Sequence, residues 1–164
     1  MAYSDFSLIK AKTDFGLTIE EQVNLFADVQ AIAPSEHLSF FLAETISLAT
    51  AINTEKARSE LLIAPILLDV RRHLNYQVSL FSGVDFNVDA ALGLNGFCDF
   101  ILSRSTEQYY IEAPVLTIVE AKNESIKSGL GQVTAEMVAA QMFNAISAHR
   151  EASSVYGEVT SGTE

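Results

Sequence analysis

The chain has no tryptophan, three prolines, eight glycines and one cysteine among its 164 residues. A lone cysteine, Cys98, rules out an internal disulfide and any cysteine-based metal cluster, which fits a reducing compartment. No apolar run approaches the roughly 18 uninterrupted residues that a membrane span requires, so no membrane partner is expected. The opening MAYSDFSLIKAKTD carries charge where a signal peptide would carry its apolar region. Nothing marks export, and a cytoplasmic location is expected. Positive charge is scarce: 10 Lys plus Arg stand against 21 Asp plus Glu, a formal net charge of −11. That balance opposes a surface that grips nucleic acid without specificity. What the chain does have is apolar content, 49%, too high for a disordered acidic polymer.

The length suits one domain with a sizeable core, spanning 1–164. No Pro/Gly/Ser linker, repeat or sustained heptad divides it. Residues 1–75 hold 10 acids and 6 bases, and residues 76–164 hold 11 acids and 4 bases. Patterning predicts helices over 18–74 and a sheet-and-motif region over 76–160. Phe6 to Phe15 reads as an edge strand or a loose arm. Thr18 and Glu21 have capping-box spacing for a helix carrying Val23, Phe26, Ala27 and Val29, which ends at Ala33–Pro34. Ser35 caps a second helix with Leu38, Leu42, Ile46 and Ala49 at helical spacing. A third runs from Asn53 or Thr54 to His73, with a bend or a local loss of hydrogen bonding at Pro65.

Strands follow at Tyr76–Phe81 and Val84–Val88, at Phe97–Leu102, at Val115–Val119 and at Val155–Val159, with a helix from Gln132 to His149 before the last. The near-continuous β-branched run Val115–Leu116–Thr117–Ile118–Val119 reads as a central strand covered on both faces. The chain then reaches Ser161–Gly162, a turn signal without a return strand. Either the last strand lies at a sheet edge or the native chain runs past 164, and a longer native chain is the expectation.

The chemistry concentrates at Val119–Glu120–Ala121–Lys122–Asn123–Glu124. Strand alternation sends Ile118, Glu120 and Lys122 one way and Val119, Ala121 and Asn123 the other. A glutamate and a lysine therefore emerge together at the C-terminal end of an apolar strand, where α/β folds place ligands. Asp99 sits within Phe97–Cys98–Asp99–Phe100–Ile101, on the face of Phe97 and Ile101 and with Cys98 turned away as a small hydrophobe. An aspartate in an apolar strand calls for a pairing partner or a metal. If the two strands are neighbours, Asp99 and Glu120 converge, and a divalent cation relieves their repulsion. Glu60 shares a helical stripe with Ala57, Ile63, Ala64 and Leu67; its alternative is an ordinary pair with Arg58 or Lys56. Gln132 and Glu136 lie one helical turn apart, either ordering a ligand or facing solvent.

Glu60, then Asp99, then Glu120–Ala121–Lys122, then a helix bearing Gln132, resembles the PD-(D/E)XK superfamily of restriction-endonuclease-like nucleases over roughly residues 55–145. Cys98 stands where the motif's proline would precede the aspartate. The resemblance implies an α/β, restriction-endonuclease-like fold, a mixed central sheet flanked by helices, with the helical N-terminal part before it. It implies divalent-metal-dependent hydrolysis of nucleic-acid phosphodiesters, with DNA the expected substrate. Asp99, Glu120, Lys122 and Glu60 would be catalytic, and Asp99, Glu120, Glu60 and the Ala121 carbonyl would hold Mg²⁺ or Mn²⁺. Gln132 and Glu136 would be auxiliary, and Lys127 and Arg104 would contact substrate, Lys127 from a Lys127–Gly131 turn before a helix. The competing reading is a catalytically inactive interaction or regulatory module of the same fold, possibly a homodimer. The acidic balance calls for a homodimer, or a fused or partner domain, to supply a basic surface. His37, His73 and His149 are read as surface histidines, and Tyr109–Tyr110 as interface or surface.

Overall fold

The computed structural model describes residues 1–123, 125–146 and 154–163. A 3₁₀ turn, Tyr3–Asp5, leads into helix α1 (Leu8–Asp14), and helix α2 (Glu36–Ile52) follows a long irregular segment. Helix α3 (Glu55–Arg58) passes through a π-helical turn, Ser59–Ile63, into α4 (Ala64–His73). Strands β1 (Ser79–Asp85), β2 (Phe97–Ser103) and β3 (Val115–Ala121) come next, then α5 (Ile126–Ile146) and β4 (Tyr156–Thr160). The sheet has the order β1-β2-β3-β4: the first three strands form an antiparallel meander, and α5 carries the chain across to β4, parallel to β3. The fold is α/β with a mixed sheet, and β4 lies at its edge.

Two cores form on the two faces of the sheet. Ile101, Val115 and Ile118 pack with Val133, Ala135, Ala139 and Ala140 of α5 and with Phe6 and Ala11 at the N-terminus. Phe100, Leu102, Val119 and Ala121 pack with Ile63 and Leu67 on the other face. β3, flanked by β2 and β4, contributes to both cores, as its β-branched run predicts. No helix among the described residues is long and apolar enough to cross a membrane.

Several local expectations are corrected. Phe6–Phe15 is neither strand nor loose arm: Ser7 Oγ accepts from the Lys10 N–H at 3.2 Å and caps α1, whose Ala11 is fully buried. The helix expected from Thr18 to Ala33 does not form. Every residue from 18 to 34 is exposed, including Val23, Phe26, Val29 and Ile32. A helix there would bury no apolar stripe to offset the cost of its nucleation. The capping-box spacing is present without a face to dock.

The predicted disturbance at Pro65 takes a definite form. Proline has no N–H to give the Leu61 carbonyl four residues earlier. The Thr45 hydroxyl donates to that carbonyl instead, at 3.0 Å, and the chain widens into the π turn immediately before α4. α5 begins at Ile126, six residues before the predicted start, and takes Gly129 and Gly131 inside it. These glycines are sites of close approach, since a Cβ on Gly131 would stand 2.2 Å from the Phe6 carbonyl oxygen. The predicted extension of this helix to His149 lies outside the described residues, as do Glu124 and Arg150.

Candidate active site

The β2–β3 register pairs Phe100 with Val119, so Asp99 and Glu120 are the next positions along their strands. The ladder does not continue there through backbone alone. The Ala121 N–H, which points toward β2, donates to Asp99 Oδ2 at 2.8 Å. A side-chain carboxylate thus does the work of a strand carbonyl, and Asp99 is turned toward the backbone of the next strand. On the opposite side the Lys122 N–H donates to the Thr160 carbonyl at 2.9 Å. The Glu120–Ala121–Lys122 backbone is therefore held from β2 by Asp99 and from β4 by Thr160.

Glu120 is 2% exposed and Lys122 reaches back over it, with Nζ 2.5 Å from Oε1. The other oxygen, Glu120 Oε2, is buried without a hydrogen-bond partner. Burial pushes the Glu120 carboxyl up to about 7; the Lys122 hydrogen bond opposes this and the Asp99 charge adds to it. Burial pulls Lys122 down, but the pair with Glu120 outweighs it and the ammonium is held above its ordinary value. A second acid lies close by on α5. Glu136 is fully buried, accepts from Gln132 Nε2 at 3.1 Å through Oε1, and also has an unpartnered oxygen, Oε2. Burial, and then the Glu120 charge, push it up to about 8. The face of β3 that meets α5 thus holds two carboxylates in a nearly dry setting, where an unpaired oxygen is costly.

Cys98 belongs to this side of the sheet. It is buried with Ile101 and Ile118, and burial followed by the Glu136 and Glu120 charges raises its thiol. The expectation that it lies on the face opposite Ile101 is corrected. β1 takes a left-handed residue, Gly83 at φ +61°, between the paired positions Ser82 and Val84, opposite Asp99 in the β1–β2 register. Regular alternation is interrupted there, so counting faces along β2 fails at its N-terminal end.

Glu60 is not at this site. It pairs with Lys56 one helical turn away at 2.9 Å, and its side chain is 61% exposed. The widened π turn changes the angular step on which its inward stripe was counted. Glu55 comes to the site instead, its Oε2 3.7 Å from Lys122 Nζ. No local sequence signal pointed to it; the Thr54 hydroxyl, which accepts from the Ala57 N–H at 3.1 Å, fixes the first turn of α3 that carries it. Of the proposed substrate contacts, Lys127 is exposed in the first turn of α5, because the Lys127–Gly131 turn is part of that helix. Arg104 follows the far end of β2, roughly 17 Å along the strand from Asp99 at about 3.4 Å per residue. Among the described residues no three His, Cys, Asp or Glu side chains group so as to hold a metal ion by themselves. His73 lies 3.5 Å from Asp69, and Tyr109 and Tyr110 line a separate cleft with Phe81, Phe86 and Phe143.

No family model, curated protein or solved structure matches this chain.

Proposed function

We propose that this chain is a divalent-metal-dependent phosphodiester hydrolase of the PD-(D/E)XK type acting on nucleic acid, DNA being the expected substrate. The restriction-endonuclease-like fold is part of the same proposal, supported by the mixed sheet with helices on both faces. The observation that carries it is the meeting of Asp99, Glu120, Ala121 and Lys122 at the end of β3, where one oxygen of the buried Glu120 has no partner.

The donor set fits a hard cation. Mg²⁺ takes oxygen ligands and is commonly held by one or two carboxylates, with waters and substrate phosphate completing its shell. Asp99 and Glu120, with the Ala121 carbonyl, would supply the protein's share, and a third carboxylate is not needed for that arrangement. When bound, the ion would polarise a phosphoryl oxygen and lower the pKa of a bound water. The chain's own residues do the rest. Asp99 fixes the Ala121 backbone while offering its charge, and the Lys122 ammonium stands beside Glu120 to steer the attacking water or offset charge on the phosphate. Glu136 and Gln132 back the site from α5 and keep that side of it closed to solvent.

A second reading has its own support. The Lys122–Glu120 pair is already closed at 2.5 Å, and the chain is strongly acidic. Both suit a non-catalytic interaction module, including a homodimer, that retains the fold and these residues. The two are separated by incubating single- and double-stranded DNA and RNA with the protein in Mg²⁺ or Mn²⁺. Cleavage that disappears in EDTA, in Asp99→Asn and in Lys122→Ala, with circular dichroism showing both variants folded, is the expected result. Cleavage that survives both substitutions, or none on any of the four substrates, overturns the assignment.

A further inference from the structure

Lys122 is the one ammonium group within ion-pair distance of Glu120 among the described residues, and it has two carboxylates to choose from. Its Nζ is 2.5 Å from Glu120 Oε1 and 3.7 Å from Glu55 Oε2. Glu120 is buried, whereas the Glu55 side chain is half exposed. The backbone around Glu55 is tied to the same end of the sheet. Asn123 Nδ2 donates to the Asn53 carbonyl at 3.4 Å, and the buried Arg58 donates to the Ser161 carbonyl at 3.0 Å and to Asn53 Oδ1 at 3.2 Å. These bonds link the corner between α2 and α3 to β3 and to the residues after β4, so Glu55 is held at a fixed place beside Lys122.

A divalent cation on Glu120 changes the electrostatics of that lysine. With the ammonium on Glu120, a dication would meet like charge across one carboxylate group, in a site where burial weakens screening. Moving the ammonium into bulk water would separate it from both acids. Glu55 offers a nearer solution, an acceptor on the outer side of the same lysine. The stem has room alongside Gly129: a Cβ there would approach Lys122 Cε to 3.3 Å and crowd Val159 at 2.6 Å.

We propose that Glu55 is a positioning residue that takes over the Lys122 ammonium when a divalent cation occupies Glu120. The inference rests on the cation site proposed above and adds a role for a residue outside it. Lys122 serves as the counter-ion of Glu120 in the cation-free protein, and Glu55 holds it aside, close to the site, in the loaded one.

The test is a double-mutant cycle on metal affinity alone. Free Mn²⁺ is followed by electron paramagnetic resonance during titration of the parent, Glu55→Gln, Lys122→Met and the double variant, with folding checked by circular dichroism. Loss of such a supporting partner is expected to weaken Mn²⁺ binding by roughly tenfold in Glu55→Gln. In the Lys122→Met background the same substitution is expected to change nothing, because the group it positions is gone. Equal Mn²⁺ affinity in the parent and Glu55→Gln overturns the inference. Equal weakening in both backgrounds also overturns it and makes Glu55 a direct ligand. A folded parent that takes up no Mn²⁺ overturns the cation site itself, an outcome distinct from the other two.

Discussion

Replacing Glu136 with glutamine should make the metal-free protein more stable at alkaline pH and leave it nearly unchanged in acid. Glu136 is fully buried, and its carboxyl is pushed from an ordinary 4.5 to about 8, by burial first and by the Glu120 charge second. Between those values the folded state keeps a proton that the unfolded chain has released. Stability from this group is therefore fully present below about pH 4.5 and is lost as pH rises through about 8. A gap of about 3.5 pH units at about 1.36 kcal/mol each gives an upper bound of about 5 kcal/mol. Structural relaxation and a higher effective dielectric reduce this to roughly 2–3 kcal/mol. Glutamine keeps the shape and the acceptor that Gln132 needs, and it carries no charge at any pH. In EDTA, melting curves of the two proteins are expected to coincide near pH 5 and to separate by about 5–10 °C at pH 8.5, the variant melting higher. Using the difference between the proteins removes the contributions of Glu158, also raised by burial, and of Asp69, which Ser35 holds low. A difference that does not change from pH 5 to 8.5 would refute the reasoning, as would a parent that gains stability relative to the variant with rising pH.

Two further substitutions probe the frame around the site. Asn144 is buried and its amide bonds both the N–H and the carbonyl of Val115, at 2.7 and 2.8 Å. Asn144→Ala strands two buried backbone groups at the start of β3, and urea denaturation should show a loss of about 2–4 kcal/mol. Glu60→Gln removes only an exposed pair with Lys56, so the melting temperature should move by less than about 2 °C, and Mn²⁺ affinity should not change.

Sequence patterning was most informative where tertiary packing and periodicity agree. The β-branched run 115–119 could only be satisfied between two apolar layers, and β3 has one on each face. Ser35, read as a cap, accepts from the Leu38 N–H at 3.1 Å at the start of α2. The pairing of Glu120 with Lys122 followed from strand alternation alone. What failed were steps that assumed an unbroken period. A regular helical count for Glu60 runs through a stretch that is a π turn, and a regular strand count for Cys98 runs across the break opposite Gly83. Glycines at 129 and 131 signal turns in isolation, while in the folded chain they let α5 approach Val159 and the Phe6 backbone. Glu55 comes near Lys122, 67 residues later in the chain, through a corner held by Arg58 and Asn123. No local pattern records such a meeting.

The bond from the Lys122 N–H to the Thr160 carbonyl sets an order of events during synthesis. Asp99, Glu120 and Lys122 have all been translated when the ribosome has added residue 122, yet the outer side of the lysine's backbone has no partner until β4 follows, 38 residues later. At an elongation rate of about 5–20 residues per second, that interval lasts about 2–8 seconds. During it the acids and the lysine are joined on one polypeptide without the strand that locks their spacing. Whatever the site does, it acquires the ability only once β4 has been made.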